Sequence, residues 1–243
     1  MSNQILFDQI SSKVGKGVKI KKSLCFYNPK QVFDGLKNNP DIINWNNFML
    51  NEYVPEKKDV LLIYPCSTVK PYNESRSYKQ LYTYLNMLNG DRKKIQVMTI
   101  SEPFGLVPEE FYSQFQWYDC PGLFEWWCKK YDQEFNSDYL DKSLNILSDN
   151  IGQFLKKAQK RKTYRKIIGF VRTYSSHLDQ RIDHTHRRML ELASEKYELD
   201  IEILPKKSQI RSLVDERGTF AWDMYGVAHS IMLKHLVKKL KSI

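Results

Sequence analysis

The stretch DVLLIYPCSTVKPYNES, residues 59–75, joins a short apolar run to a loop that is rich in reactive side chains. The run DVLLIY (59–64) has the length and composition of a strand that is buried on both faces of a parallel sheet. Pro65 and Pro71 stiffen the loop that follows, because proline fixes φ and lacks a backbone donor. We therefore expect a central strand that carries chemically useful groups at its carboxyl end.

Strand-like and helix-like segments alternate downstream of this stretch. Further strands are predicted at KIQVMTI (94–100), KIIGFV (166–171) and DIEIL (200–204). Apolar residues at helical spacing predict helices over Tyr78–Leu88, over Leu140–Ala158 after an N-cap at Ser137, over about 179–198 and from about Thr219 to Leu240. This alternation predicts an α/β fold with a four-stranded, mostly parallel sheet flanked by helices. In such folds the ligand site lies at the carboxyl ends of the strands.

The first 57 residues differ from the rest of the chain. Five lysines lie between Lys13 and Lys22, and Asn and Pro then recur through NPKQVFDGLKNNPDIINWNN (28–47). Such punctuation permits only short helices. We interpret residues 1–57 as a basic, helical N-terminal arm and residues 58–243 as the α/β core domain.

The composition limits the class of protein. Lys and Arg number 38 against 28 Asp and Glu, and the net charge of +10 suits a polyanionic partner such as nucleic acid. No apolar run reaches about 18 residues, so no membrane span is expected. The N-terminus has no signal-peptide pattern, and we expect a cytoplasmic protein. The four cysteines form no C-x-x-C pair, which argues against a disulfide framework or a zinc site.

The loop after the first strand is the strongest candidate for a site. Cys66, Ser67, Thr68 and Lys70 offer a thiol, two hydroxyls and an amine just before a predicted helix. The free N–H groups of a helix N-terminus favour an anion or a carbonyl oxygen. A proline-rich connecting turn with a buried cysteine would explain the same residues, since free cysteine is commonly buried.

The same loop resembles the core motif of the archaeosine synthase family, in which Pro-Cys is followed by Lys-Pro-Tyr, Ser and finally His. The matching residues are Pro65, Cys66, Lys70, Pro71, Tyr72 and Ser75, whereas Tyr78 stands where the family has His. The segments SEPFGLVPEE (101–110) and WYDCP (117–121) are similar to that family as well. The resemblance covers roughly residues 58–240.

This resemblance implies a fold akin to uracil-DNA glycosylases and a reaction on tRNA. Archaeosine synthase attaches lysine to 7-cyano-7-deazaguanine at position 15 of tRNA by adding an amine to a nitrile, and a radical SAM partner enzyme then cleaves the adduct. The addition needs no redox cofactor, so we expect neither a cofactor nor a metal. The partners that the resemblance implies are tRNA, free lysine or another amine, and a radical SAM enzyme.

Roles for individual residues follow from that chemistry. A thiolate of Cys66 can attack a nitrile, and Lys70 can either assist it or anchor a phosphate or carboxylate. Hydroxyl groups can orient the base or donate protons. The catalytic candidates are Cys66, Lys70, Tyr72, Ser75, Tyr78 and Asp119, and the substrate-binding candidates are Pro65, Ser67, Glu102, Gly105 and Arg172.

Two later segments supply some of these candidates. Glu102 suits a base or an amino-group ligand, although a solvated surface turn explains it equally well, and Gly105 suggests a turn or a close approach to ligand. After the third strand, Arg172 heads a group that could hold a phosphate or a carboxylate. The rest of that group is Ser175, Ser176, His177, Asp179 and Arg181. His184 and His186 are two apart on a predicted helix, so they point to different faces and do not predict a metal site.

Basic and aromatic clusters bear on nucleic-acid binding. The run KKAQKRKTYRK (156–166) holds seven basic residues and no acid. We interpret Lys156, Lys157, Lys160, Arg161 and Lys162 as part of a tRNA backbone footprint, against the plainer interpretation of a solvated face. The pair WW (126–127) is expected mostly in the core, with base stacking as the alternative.

Two other functions remain open at this point. One is a non-catalytic tRNA-binding module of the same fold that assists another modification enzyme, which the Tyr78 departure from the family motif favours. The other is a glycosylase-like hydrolase that acts on a nucleobase. That hydrolase would need a carboxylate to activate water, for which Asp119 or Asp223 could serve.

Overall fold

The computed structural model describes residues 20–172, 185–217 and 226–243, in which five strands form one sheet. The strands are β1 (Lys58–Pro65), β2 (Ile95–Ser101), β3 (Gly105–Pro108), β4 (Tyr164–Phe170) and β5 (Ile201–Leu204). The α-helices are α1 (Pro29–Asn38), α2 (Pro40–Asn51), α3 (Arg76–Asn86), α4 (Glu125–Lys130), α5 (Ser137–Lys160), α6 (Thr185–Tyr197), α7 (Lys207–Arg217) and α8 (Ser230–Leu240).

The strands have the order β3–β2–β1–β4–β5, with β1 at the centre. β1 pairs in parallel with β2 and β4, and β5 pairs in parallel with β4, so the predicted mostly parallel α/β fold is confirmed. The sheet has one strand more than expected, because β3 forms within the segment interpreted as a loop. β3 pairs antiparallel with β2. Gly105 permits the reversal between them, since its φ of +69° is strained for other residues.

The apolar character of β1 explains its central position. The side chains from Val60 to Tyr64 are at most 2% exposed. A strand that is apolar on both faces needs cover on both faces, and helices supply it here. α3 packs against α8, while α5 packs against α1, α2 and α6.

The N-terminal helices predicted for the first 57 residues are present as α1 and α2. Asn28 and Asn39 cap them by accepting backbone N–H bonds, and a proline follows each cap. The Trp45 indole N–H donates to the carbonyl oxygens of Phe104 (3.1 Å) and Leu106 (3.3 Å). These helices therefore share the hydrophobic core of the sheet, and a domain boundary at residue 57 stays a prediction.

Two helix boundaries differ from the sequence expectation. Asn136 rather than Ser137 caps α5, because its side chain accepts from the N–H groups of Asp138 (3.0 Å) and Tyr139 (3.1 Å). The predicted starts of the last two long helices, near residues 179 and 219, lie outside the described residues. In the described part of the chain, no helix is long and apolar enough to cross a membrane.

Candidate active site

The carboxyl ends of β1 and β2 place two reactive side chains next to each other. Cys66 follows the last residue of β1, and its N–H donates to the Ile100 carbonyl oxygen at 2.9 Å. Glu102 follows the last residue of β2. Parallel neighbours end at the same edge of a sheet, so the two side chains reach the same space. His186, the second residue of α6, joins them.

Cys66, Glu102 and His186 form a close cluster, which we call the triad. The His186 Nε2 atom lies 3.0 Å from Glu102 Oε2 and 3.6 Å from Cys66 Sγ, and Sγ lies 3.9 Å from Oε2. The Thr185 hydroxyl donates to the other carboxylate oxygen, Oε1, at 2.7 Å. One imidazole nitrogen therefore faces both the thiol and the carboxylate.

Burial and mutual attraction shift the pKa values of Glu102 and His186 in opposite directions. Burial raises the pKa of Glu102, but the His186 ring and the Thr185 hydroxyl outweigh it, and the net direction is downward. Burial lowers the pKa of His186, whereas Glu102 and then Cys66 raise it, to about 10. At neutral pH the pair is therefore a carboxylate beside an imidazolium, which can donate a proton.

The same three side chains offer metal-ligand atoms. Sγ, Nε2 and the carboxylate oxygen all lie within 4.8 Å of one another. Sulfur, imidazole nitrogen and carboxylate oxygen are the donors that zinc uses in proteins, and three of them leave a fourth position open. The expectation that His186 takes no part in such a cluster came from pairing it with His184, which lies outside the described residues.

The triad lines a cavity of about 410 Å³. Such a volume falls in the range of about 300–1,000 Å³ that is usual for small-molecule sites. Four predicted candidates, Ser67, Lys70, Asp119 and Arg172, line it too. An aromatic wall completes it with Phe124, Trp126, Trp127 and Tyr131.

Lys70 and Asp119 are two further buried, charged residues that line this cavity. The Lys70 side chain is 6% exposed; its ammonium donates to the Ser67 carbonyl oxygen at 3.1 Å and lies 4.3 Å from the centre of the Tyr118 ring. Asp119 is also 6% exposed. Burial raises the pKa of its carboxyl group, and the charge of Lys70 and the N–H of Cys120 offset only part of that rise.

Three predicted catalytic residues, Tyr72, Ser75 and Tyr78, lie behind the cavity wall and do not line it. The Ser75 hydroxyl caps α3 by accepting from the Tyr78 N–H at 3.3 Å. The Tyr78 hydroxyl donates to the Pro65 carbonyl oxygen at 3.2 Å and contacts the Thr99 hydroxyl. The geometry makes these residues supports of the loop that carries Cys66.

The other tyrosine of the motif belongs to the same support. The Tyr72 hydroxyl contacts that of Tyr118, which in turn contacts the Ser101 hydroxyl. Burial raises the pKa of Tyr72 and Tyr78 well above the usual value, so both remain protonated. Tyr72 thereby connects the Cys66 loop to the ring over which Lys70 lies.

Two substrate-binding candidates also lie away from the cavity lining. Pro65 is the last residue of β1 and contributes its carbonyl oxygen to Tyr78. Gly105 begins β3, where a Cβ atom would come 3.7 Å from the Ile151 side chain. Its positive φ, rather than closeness to a ligand, explains the glycine.

The basic run lies at the opposite edge of the sheet. It covers the last turn of α5 and the turn into β4, and Tyr164 pairs with Lys58 at the start of β1. β1 has eight residues, which at about 3.3 Å each separate its ends by roughly 25 Å. Lys157 donates to the Leu50 carbonyl oxygen at 2.6 Å, and Lys160, Arg161 and Lys162 are exposed. Their contact with tRNA stays a prediction.

Sequence reasoning missed the role of His186 in the triad. The signal was present, because the helix after β4 must begin at the carboxyl edge of the sheet, beside Cys66 and Glu102. Several predicted residues of the same region lie outside the described part of the chain, namely Ser175, Ser176, His177, Asp179, Arg181, His184 and Asp223.

Fold and site together define an α/β protein with a Cys–Glu–His triad in a cavity at the carboxyl edge of its sheet. The chain belongs to a family described as a domain of unknown function, DUF5591, whose sequence profile matches residues 42–204. This match includes β1 to β5, together with all three triad residues.

Curated relatives carry the name archaeosine synthase subunit alpha, and they confirm the predicted resemblance. The protein of Thermoplasma acidophilum is 27% identical over 152 residues, 60% of this chain and 25% of that protein. The Thermococcus kodakarensis protein is 35% identical over 75 residues, 30% of this chain and 13% of that protein. The Methanosarcina acetivorans protein is 31% identical over 70 residues, 29% of this chain and 11% of that protein. The matches thus span a quarter or less of these relatives.

Solved structures show a weaker likeness. A crystal structure of a protein of unknown function has a TM-score of 0.48 and 16% sequence identity to this chain. The superposition covers 82% of this chain and 50% of that one.

Proposed function

We propose that this protein is a tRNA-modifying transferase that adds lysine to the nitrile of 7-cyano-7-deazaguanine in tRNA. One observation carries the proposal: inside a cavity, a cysteine sulfur lies 3.6 Å from an imidazole nitrogen that is 3.0 Å from a buried carboxylate. A thiolate beside a proton donor suits attack on a carbon–nitrogen triple bond. The name of the curated relatives, archaeosine synthase subunit alpha, supports a reaction of this class.

The first step joins Cys66 to the substrate. The thiolate attacks the nitrile carbon, a sulfur–carbon bond forms, and one π bond of the nitrile breaks. The nitrile nitrogen takes the proton from Nε2 of His186, which gives a thioimidate and a neutral imidazole. Glu102 holds the imidazole in place through its 3.0 Å contact and stabilises the imidazolium at the start of the cycle.

The second step releases the product. The neutral amine of lysine attacks the thioimidate carbon and gives one proton to the imidazole of His186. The carbon–sulfur bond then breaks, and Cys66 leaves as the thiolate. The product is an amidine that bears the lysine nitrogen, and the triad returns to its starting charge state. No electron enters or leaves, so the cycle needs no oxidant or reductant.

Nucleoside mass spectrometry tests this proposal. The pure protein is incubated with lysine and with tRNA that carries 7-cyano-7-deazaguanine, and we expect a mass gain of one lysine on that nucleoside. Without lysine, we expect a thioimidate that adds the mass of the modified RNA fragment to Cys66. Tight tRNA binding without either product would identify a non-catalytic tRNA-binding module instead.

Substitution of Cys66 makes the test specific. Cys66→Ser should abolish the lysine adduct, because serine is a far weaker nucleophile, while tRNA affinity and thermal stability stay nearly unchanged. Cys25→Ser is the matched control, since Cys25 is similarly half-buried but donates to the Lys21 carbonyl oxygen at 3.4 Å. Near-normal turnover by Cys66→Ser would rule out the covalent step.

The second candidate function of the triad is to bind a divalent cation, because the three ligand atoms of the triad already converge. The two functions differ in their response to metal. If Cys66 is the nucleophile, Zn²⁺ should inhibit the reaction by binding the sulfur, and a chelator should restore the rate. Activity that is lost to a chelator and recovered with Zn²⁺ would instead assign the triad to a metal.

A further inference from the structure

Asp119 is a buried carboxylate that faces a cavity with few partners. Among the described residues no side chain donates a hydrogen bond to it, and Cys120 supplies a backbone N–H. Burial reduces the hydration of a carboxylate, so donors that approach it from the cavity stabilise its charge. The space in front of Asp119 therefore suits a ligand that brings hydrogen-bond donors.

Lys70 presents the opposite chemistry beside it. Its ammonium has three N–H donors, and the Ser67 carbonyl oxygen accepts one of them. The ammonium lies 4.3 Å from the centre of the ring of Tyr118, the residue before Asp119, and both Lys70 and Asp119 line the cavity. Together they present a pair of acceptor oxygens next to a donor.

We propose that Asp119 and Lys70 read the Watson–Crick edge of a guanine-type base. The N1–H and exocyclic N2–H groups of that edge would donate to the Asp119 carboxylate, and the O6 atom would accept from Lys70. Adenine is opposite in character, because its N1 is an acceptor and its N6 a donor. This inference deepens the proposed function, since it names the groups that select the base.

The aromatic wall supports a flat ligand in the same place. Trp126 is 50% exposed although it lines the cavity, whereas Trp127 is buried against Tyr27 and Tyr131. Unstacked bases in RNA are commonly held by stacking on aromatic rings and by hydrogen bonds to their edges. On 7-cyano-7-deazaguanine the nitrile is attached to the five-membered ring, beside O6, and is not itself part of that edge. The nitrile therefore stays free to react when Asp119 and Lys70 hold that edge in the cavity that the triad also lines.

Equilibrium binding of free bases to the intact protein tests the inference. The probes are 7-deazaguanine and 7-deazaadenine, which carry no nitrile and cannot react with Cys66. We expect the wild type to prefer 7-deazaguanine by about 10- to 100-fold, the range for one good bidentate pair. Because the assay needs no turnover, it reports on the edge even if lysine transfer fails.

Asp119→Asn sharpens the test, because its amide replaces one acceptor oxygen with a donor. The variant should lose the preference for 7-deazaguanine, whereas Asp141→Asn, which alters a carboxylate paired with Arg188 at 2.8 Å, should keep it. If Asp119→Asn fails to fold, 7-deazahypoxanthine tests the wild type alone. That base lacks the N2 amino group and should bind about 5- to 10-fold more weakly than 7-deazaguanine.

Two outcomes would overturn the inference. Equal affinity of the wild type for all three bases would show that the edge is not read. A second outcome concerns the amine, since the ammonium and carboxylate of free lysine could also pair with Asp119 and Lys70. If Asp119→Asn weakens lysine binding but keeps the base preference, the pair binds the amine substrate and not the base.

Discussion

The parallel strands carry charge at both of their ends, but the two ends use it differently. At the carboxyl edge, Glu102 and Lys70 are 1% and 6% exposed, and Glu102 pairs with His186 at 3.0 Å. At the amino edge, Lys160 and Arg161 are exposed to solvent. Water and salt screen exposed charges strongly, whereas buried pairs keep their strength and shift pKa values. The carboxyl edge thus suits chemistry, and the amino edge suits contact with an external polyanion.

The largest effect should come from removing the proton donor of the carboxyl edge. We expect His186→Gln to slow lysine transfer by about 10²- to 10⁴-fold, the usual contribution of a general acid–base group. Single-turnover kinetics at saturating tRNA will measure it. His235→Gln is the matched control, because His235 is exposed on α8 and should leave the rate unchanged. A His186→Gln rate within threefold of wild type would contradict the proposed proton transfer.

The pH dependence of stability should also distinguish the Glu102–His186 pair from an ion pair whose basic partner does not titrate. The pKa of His186 is raised from 6.5 to about 10 and that of Glu102 is lowered from 4.5, so their ion pair stabilises the fold fully between about pH 4.5 and 6.5. That stabilisation is lost as the pH rises through about 10. Near pH 6, Glu102→Gln should lower the free energy of unfolding by about 3–5 kcal/mol, the cost of breaking a buried pair.

The control for this prediction is another glutamate. Glu109 pairs with Arg92 at 2.6 Å, and arginine does not titrate below pH 10. Denaturant unfolding between pH 6 and 10 should show the cost of Glu102→Gln shrinking while the cost of Glu109→Gln stays flat. A flat cost for both variants would mean that His186 is neutral in the native protein.

A smaller effect is expected at the residue that replaces the histidine of the family motif. Tyr78→Phe removes the donor to the Pro65 carbonyl oxygen and should lower the free energy of unfolding by about 1–3 kcal/mol. Because Tyr78 supports the loop without lining the cavity, the rate of lysine transfer should fall less than tenfold, far less than for His186→Gln. Tyr112→Phe is the control, since its hydroxyl accepts from Thr99 at 2.8 Å and makes no described hydrogen bond with the Cys66 loop. A larger rate loss would make Tyr78 a proton donor.

The sequence predicted what depends on local pattern. The apolar run of β1, the alternation of strands and helices, and the loop at Cys66 were all visible in periodicity and composition. Glu102 was a candidate for the same reason, because it directly follows a strand. β3 was missed, since four residues between prolines give no periodic signal, and its pairing with β2 depends on one glycine turn.

The triad depended on tertiary structure that the sequence does not display. His186 comes 120 residues after Cys66, and only the position of α6 after β4 brings it to the sulfur. Tyr78 illustrates a different limit, since its position in the family motif does not say which way its side chain points. The face that carries Tyr78 is the buried one, because α3 packs its apolar side onto the sheet.

The smallest effect concerns the amino edge. Replacing Lys156, Lys160 and Arg161 by Gln should weaken tRNA binding and reduce the slope of log affinity against log salt by roughly 2 to 3, about 0.7–0.9 for each phosphate that the protein no longer neutralises. Lys156 and Lys160 are four apart on α5, where like charges repel by about 0.2–0.5 kcal/mol, so folding should be unaffected or slightly improved. Filter binding at a series of salt concentrations measures the slope.

A variant with the same change of net charge separates local contact from long-range attraction. Lys30, Lys37 and Lys79 are exposed on α1 and α3, and their replacement by Gln also removes three charges. If the amino edge contacts phosphates, the replacement of Lys156, Lys160 and Arg161 should reduce the slope and the replacement of Lys30, Lys37 and Lys79 should not. Equal reductions would show that the +10 charge acts as a whole, and an unchanged slope in both would place the RNA elsewhere. Since the edges lie roughly 25 Å apart along β1, neither variant should alter the rate of lysine transfer at saturating tRNA.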